Sequence, residues 1–261
     1  MYGVYNKITP LDLYYKYHTF YNPKVMNGMD VVVFDLETLR LFSEAPLINL
    51  GVSVLVAYSY LQDRYIVFTE DEMKKSSTKK YVWDLFSNAA AIVSHNGLRF
   101  DHRVLEVALG QDFRPLDRNA IDFYRDVLQK HSDWKNEQYA RVSLKNIAKR
   151  TVGGSMAHKS LNGVDAVYFW RSGDPKKRQI VIDYCVQDVR LTRAVLEVCW
   201  MNCGRIKFMN PVQLNRMQNN LPLTGRLFGT CLVKFPPALQ ALVPKKKTVS
   251  GKKPKQAELV F

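Results

Sequence analysis

Val31 to Phe34, four apolar and mostly β-branched residues, run straight into Asp35-Leu36-Glu37-Thr38, a pattern that predicts a buried central strand carrying acids at one end. Side chains alternate along a strand, so Asp35 and Glu37 share one face and Leu36 takes the other. The apolar run from Asn49 to Tyr60 predicts a second strand. Tyr65 to Thr69 predicts a third, close enough to form a hairpin with it. Lys79 to Asn88 has helical spacing with Val82, Leu85 and Phe86 inward, and Ala89 to Val93 follows as another short buried strand. Asn96-Gly97 then signals a turn, and Val104, Leu105 and Ala108 recur at helical spacing, so Asp101 falls in the first turn of a new helix. Residues 120–127 read as a strand-to-helix passage and 142–149 as an amphipathic helix. Pro175 opens a long helix through Tyr184, Asp188 and Val198. Arg205 to Met209 reads as a final edge strand, 211–237 as irregular chain, and 1–29 as an aromatic, turn-rich extension packed on the domain.

The length of 261 residues suits one well-cored domain with additions, a unit over 30–210 with an elaboration at 211–243 and a tail at 244–261. No run approaches the eighteen or so apolar residues of a membrane span, and the amino terminus lacks a signal-peptide layout. Four irregularly spaced cysteines (Cys185, Cys199, Cys203, Cys231) make no disulfide framework, which favours a reducing compartment. Cys199 and Cys203 lack a second ligand pair for zinc. The outlier is the net charge of +14, which points to a polyanionic partner, nucleic acid or an acidic membrane surface. Six lysines and one glutamate lie in 244–261, whose lysine-rich stretch is expected to be disordered. Gly153 to Ser160 nearly spells a phosphate-binding loop, but His158 stands where its second glycine belongs. Lys159 remains a candidate for touching substrate phosphate.

Each acidic motif alone has an ordinary explanation. Asp-x-Glu can end a strand at a solvated turn, Asp101 can complement a helix dipole, and Asp188, one turn after Tyr184, can be structural. Two carboxylates on one strand face are tolerable with a cation between them, and hard oxygens suit Mg²⁺ or Mn²⁺. Taken together and in order, Phe34-Asp35-Leu36-Glu37-Thr38, Asn96-Gly97-Leu98-Arg99-Phe100-Asp101 and Tyr184-Cys185-Val186-Gln187-Asp188 resemble the DEDD superfamily of metal-dependent 3′→5′ exonucleases over Asp30 to Phe208. Tyr184 four before Asp188 resembles the tyrosine branch of that superfamily.

The resemblance implies an α/β, ribonuclease H-like fold, a mixed central sheet flanked by helices, here with an N-terminal extension and a basic tail. It implies that Asp35, Glu37, Asp101 and Asp188 bind two Mg²⁺ or Mn²⁺ ions and that Tyr184 orients the nucleophilic water. Substrate contacts are expected from Thr38, Leu39, Asn96, Arg99, Phe100 and Lys159, with Asn96 either touching the terminal nucleotide or holding its turn, and Phe100 either core or cleft. The expected partner is nucleic acid with a 3′ end, in particular single-stranded DNA, with exoribonuclease action or a non-catalytic nucleic-acid adaptor as alternatives and no membrane. The terminal Gln256-Ala257-Glu258-Leu259-Val260-Phe261 resembles short peptides that dock bacterial replication proteins on a sliding clamp, through Gln256, Leu259 and Phe261. This suits a prokaryotic or phage cytoplasm, while the lysine clusters at 245–247 and 252–253 leave nuclear import open.

Overall fold

The computed structural model describes residues 3–5, 27–130, 142–153 and 161–245. Lys159, Gln256, Leu259 and Phe261 lie outside them. A six-stranded mixed sheet runs in the order β1-β4-β3-β2-β5-β6, from β1 (Gly3–Tyr5), β2 (Asp30–Thr38), β3 (Val52–Ser59), β4 (Arg64–Thr69), β5 (Ala89–Ser94) and β6 (Ala120–Asp122). The first four strands pair antiparallel, whereas β2–β5 and β5–β6 are parallel. Part of the N-terminal extension is thus an edge strand of the sheet. Asp30 closes the β3–β4 turn by accepting from the Ser59 hydroxyl and from Leu61 N–H at 2.8 Å.

Strand alternation sorts the core into two layers. Val31 and Val33 pack with Val54, Val56 and the apolar face of the long helix α6 (Pro175–Met201), including Val181, Cys185, Val186 and Val189. Val32, Phe34 and Leu36 pack on the opposite side with α1 (Ser76–Ser87) and α2 (Asp101–Leu109) through Val82, Phe86, Val104 and Leu105. Helices α3 (Phe123–Lys130), α4 (Leu144–Thr151) and α5 (Gly163–Arg171) complete the flanks.

Two expectations are corrected beyond residue 204. Arg205–Met209 (β7) is no edge strand of the main sheet but pairs antiparallel with β8 (Phe228–Leu232) in a separate ribbon. Residues 211–237 are not irregular throughout, since α7 (Pro211–Gln218) starts at a proline in its first turn, capped by Asn210 on the N–H groups of Val212 and Gln213. Helix α5 also formed without having been expected. Among the described residues no helix is long and apolar enough to cross a membrane.

Candidate metal centre

Asp35 and Glu37 have the parity of Val31 and Val33, so the strand that buries those valines against α6 aims both carboxylates at that helix. Asp188, on the buried face of α6, meets them there, and single ligand oxygens of the three lie within 4.8 Å of one another. Asp101 arrives from the other layer. It is the first residue of α2, buried beside the end of β2, where the Leu36 N–H bonds it. The buried Cys185 thiol marks the convergence: burial pushes its pKa up, and Asp35, Glu37, Asp188 and Asp101 in turn push it further. Its sulfur lies 3.4 Å from the Asp35 carbonyl oxygen. Tyr184 is buried one turn before Asp188 on the same helix.

Burial raises the Asp101 carboxyl to about 7, and the nearby Asp122 charge adds to that rise. Its Oδ1 is buried and makes no hydrogen bond among the described residues. A buried carboxylate oxygen without a partner is costly, and a divalent cation is the partner that the neighbouring acids could share. The donor set is all hard oxygen, as Mg²⁺ or Mn²⁺ prefers.

Asp122, at the end of β6, is the residue that sequence reasoning missed. Its carboxylate accepts from four backbone N–H groups: Asn96 at 2.8 Å, Leu98 at 3.1 Å, Tyr124 at 2.9 Å and Arg125 at 3.2 Å. It therefore pins the turn leading to Asp101. Asn96 takes a left-handed φ of 70° in that turn, and a Cβ on Gly97 would stand 2.2 Å from the Ser94 hydroxyl, so only glycine fits. The sequence did hold a signal, an acid at a strand end just before a helix, but the two partners in the turn before Asp101, Asn96 and Leu98, lie 26 and 24 residues upstream. Asp122→Ala should destabilise the chain by about 3 kcal/mol, because four backbone N–H groups in part-buried hydrogen bonds lose their acceptor. Urea unfolding would measure this, and a loss below about 1 kcal/mol would mean that the turn holds itself.

Asn96, Arg99 and Phe100 line an open cavity of about 710 Å³ together with Phe42, Leu47, His95, Tyr124, Val142 and Ser143. Phe100 both packs on the core and faces this cavity, its ring 5.4 Å from the Phe42 ring. Thr38 and Leu39 stand outside it: the Thr38 hydroxyl donates to the Arg40 carbonyl, and Leu39 packs on the α6 layer. The loop after β2 that carries Phe42 is held by Arg171 at the end of α5. Its guanidinium donates to the Leu39 carbonyl at 2.7 Å and to both Glu44 oxygens at 2.8 and 2.6 Å. Arg171 accordingly holds the Glu44 carboxyl down at about 2.

The RNase H superfamily model matches residues 32–200, and the chain belongs to that superfamily. Its mixed sheet with a buried acidic cluster is the frame on which RNase H-like nucleases hold divalent metals. No curated protein matches the chain. Among solved structures it is similar to the family B DNA polymerase from the hyperthermophilic archaeon Pyrobaculum calidifontis, at 21% identity and a TM-score of 0.48 over 66% of this chain and 24% of the polymerase.

Proposed function

We propose that this chain is a 3′→5′ exonuclease that hydrolyses single-stranded ends of nucleic acid, DNA in the first instance, with two divalent ions. One observation carries the reading: three carboxylates from a strand and a helix converge within 4.8 Å, and a fourth, Asp101, holds a buried Oδ1 with no hydrogen bond among the described residues. Asp35, Glu37 and Asp188 would hold one ion, and Asp101 would contribute to holding the second. Such ions neutralise charge on the attacking and leaving oxygens of a phosphodiester and make water more acidic.

The chain's own residues supply the rest. A tyrosine hydroxyl, with a reference pKa of about 10, is a poor base at neutral pH, so Tyr184 serves to orient the attacking water through its hydroxyl. Arg99 is exposed at the cavity rim and suited to a substrate phosphate, while Phe42 and Phe100 offer ring faces for a terminal base. The terminal Gln256, Leu259 and Phe261 would tether the enzyme to a sliding clamp. Deleting 256–261 should abolish co-migration with a clamp without changing hydrolysis of free oligonucleotides, and an intact chain that never co-migrates would rule the tether out.

End-labelled DNA and RNA oligonucleotides, single and double stranded, incubated with Mg²⁺ or Mn²⁺ test the reading. A ladder receding from the 3′ end is expected. Binding without turnover under every metal would leave an adaptor that keeps the fold. Tyr184→Phe should slow hydrolysis about 10- to 100-fold while leaving metal affinity unchanged by calorimetry. Full turnover by that variant would remove the water-orienting role.

A further inference from the structure

The positive charge of this protein is segregated. Residues 142–153 and 198–245 hold nine lysines and arginines and no aspartate or glutamate. Of the net +14, four more charges belong to 246–261, which leaves a single one for the remainder of the chain. The two acid-free stretches are also one body. Helix α4 lies along the edge of β7 that β8 leaves open and closes it as a third strand would: the Thr151 hydroxyl donates to the Lys207 carbonyl and accepts from its N–H, both at 2.9 Å. The Asn146 amide does the same for Met209, donating at 3.0 Å and accepting at 2.6 Å. An edge so capped is unavailable for strand pairing, and the outer face of the ribbon presents exposed side chains for contact.

The inner face of the ribbon buries Ile206, Phe208 and Cys231 in the core. By the pairing register, the outer face sets Arg205 opposite Leu232, Lys207 opposite Thr230 and Met209 opposite Phe228. Phe228 is 50% exposed and Leu232 62%, and the Arg150 guanidinium reaches over from α4 to lie 4.0 Å above the Phe228 ring. Among the described residues no carboxylate pairs with Lys149, Arg150, Arg205 or Lys207. Unneutralised cations interleaved with an aromatic ring and aliphatic side chains suit a flexible strand that offers phosphates and bases alternately. The surface is also joined to the site. Ser143, the N-cap of α4, lines the cavity, and Arg150 is about 10 Å further along the same helix at 1.5 Å per residue.

We infer that the outer face of the β7–β8 ribbon, with the exposed side of α4, is a tracking surface for single-stranded nucleic acid, holding the strand upstream of the end that enters the cavity. The nature of that end rests on the nuclease reading; the surface itself rests on charge and register. Neutralising each phosphate contact on a single strand contributes about 0.7 to the slope of log affinity against log salt.

Fluorescence anisotropy of a labelled single-stranded 20-mer, titrated with the full chain in EDTA over a series of KCl concentrations, reads this without cleavage. Arg205→Ser combined with Lys207→Ser is expected to weaken binding about 10-fold and to flatten the salt slope by about 1.4. The charge-conserving pair Arg205→Lys and Lys207→Arg should bind as wild type, and so should Lys75→Ser with Lys80→Ser on the far helical layer. Unchanged affinity and slope in the ribbon variant would overturn the inference, as would an equal loss in the Lys75/Lys80 control. Ribbon-dependent binding of phosphatidylserine vesicles with none of the oligonucleotide would overturn it in favour of a membrane surface. Hydrolysis of a dinucleotide, too short to reach the ribbon, separates the two readings. Cleavage with ribbon-independent binding removes only the surface, whereas ribbon-dependent binding by a chain that cleaves nothing removes only the nuclease.

Discussion

Asp188→Asn should lower hydrolysis about 1,000-fold while leaving the fold intact, a loss of about 4 kcal/mol of transition-state stabilisation. Asparagine fills the same volume, so packing on the buried face of α6 is kept while the cluster of Asp35, Glu37 and Asp188 loses a charge. With fewer like charges confined within 4.8 Å, the metal-free variant should melt at or above the wild-type temperature. Stability would rise as function falls, as expected where a fold tolerates strain for its site. Single-turnover hydrolysis in Mg²⁺ and calorimetric melting in EDTA measure the two halves. An active variant would dismiss Asp188 as a ligand, and an inactive one that also melts well below wild type would assign it a structural role instead.

Asp101 predicts a pH dependence with a definite sign. Burial, helped by Asp122, raises its carboxyl from the ordinary 3.8 to about 7 in the folded chain. The folded state therefore holds a proton that the unfolded state gives up earlier. That contribution to stability is complete below pH 3.8, declines as pH rises through the interval, and is gone above about 7. At 1.36 kcal/mol per pH unit, the decline is at most about 4 kcal/mol. Asp101→Asn should remove it, so in EDTA the variant and wild type should melt together near pH 4, with the variant ahead at pH 8. Mg²⁺ should recover wild-type stability at pH 8, because only the ionised carboxylate binds it, and below pH 7 each binding event should release up to about one proton. A melting gap that does not widen with pH would mean that Asp101 is ionised and solvated in the folded chain.

Much of this site was legible in local pattern. The alternation of Val31 to Glu37 placed both acids on one face, and the structure aims that face at α6. Asn96-Gly97 announced the turn that starts α2 at Asp101, and Pro175 announced α6. Such signals survive because strand period, turn chemistry and helix capping depend on neighbours within a few residues. The cavity was less legible. Asn96, Arg99 and Phe100 line it, but Thr38 and Leu39 do not, and the loop residues Phe42 and Leu47 with Tyr124 do. Phe42 is placed by a loop that Arg171 fastens from 127 residues away through Glu44, a pairing without local trace.

Beyond residue 204 the balance reverses. The sequence marked β7 by its alternation of Arg205, Ile206, Lys207 and Phe208, but alternation says which side of a strand is buried and not which strand lies beside it. Sheet membership was decided by α4, whose Asn146 and Thr151 occupy one edge of β7 and leave the other to β8. From sequence alone came the strand carrying Asp35 and Glu37, the helix carrying Tyr184 and Asp188, the turn carrying Asp101, and the excess of positive charge. Only the tertiary structure decided that these acids meet, that Asp122 holds the turn, and where the charge is displayed. Local rules set the direction in which a side chain points, whereas the burial of α6 against the sheet, across 150 residues of chain, sets what it points at.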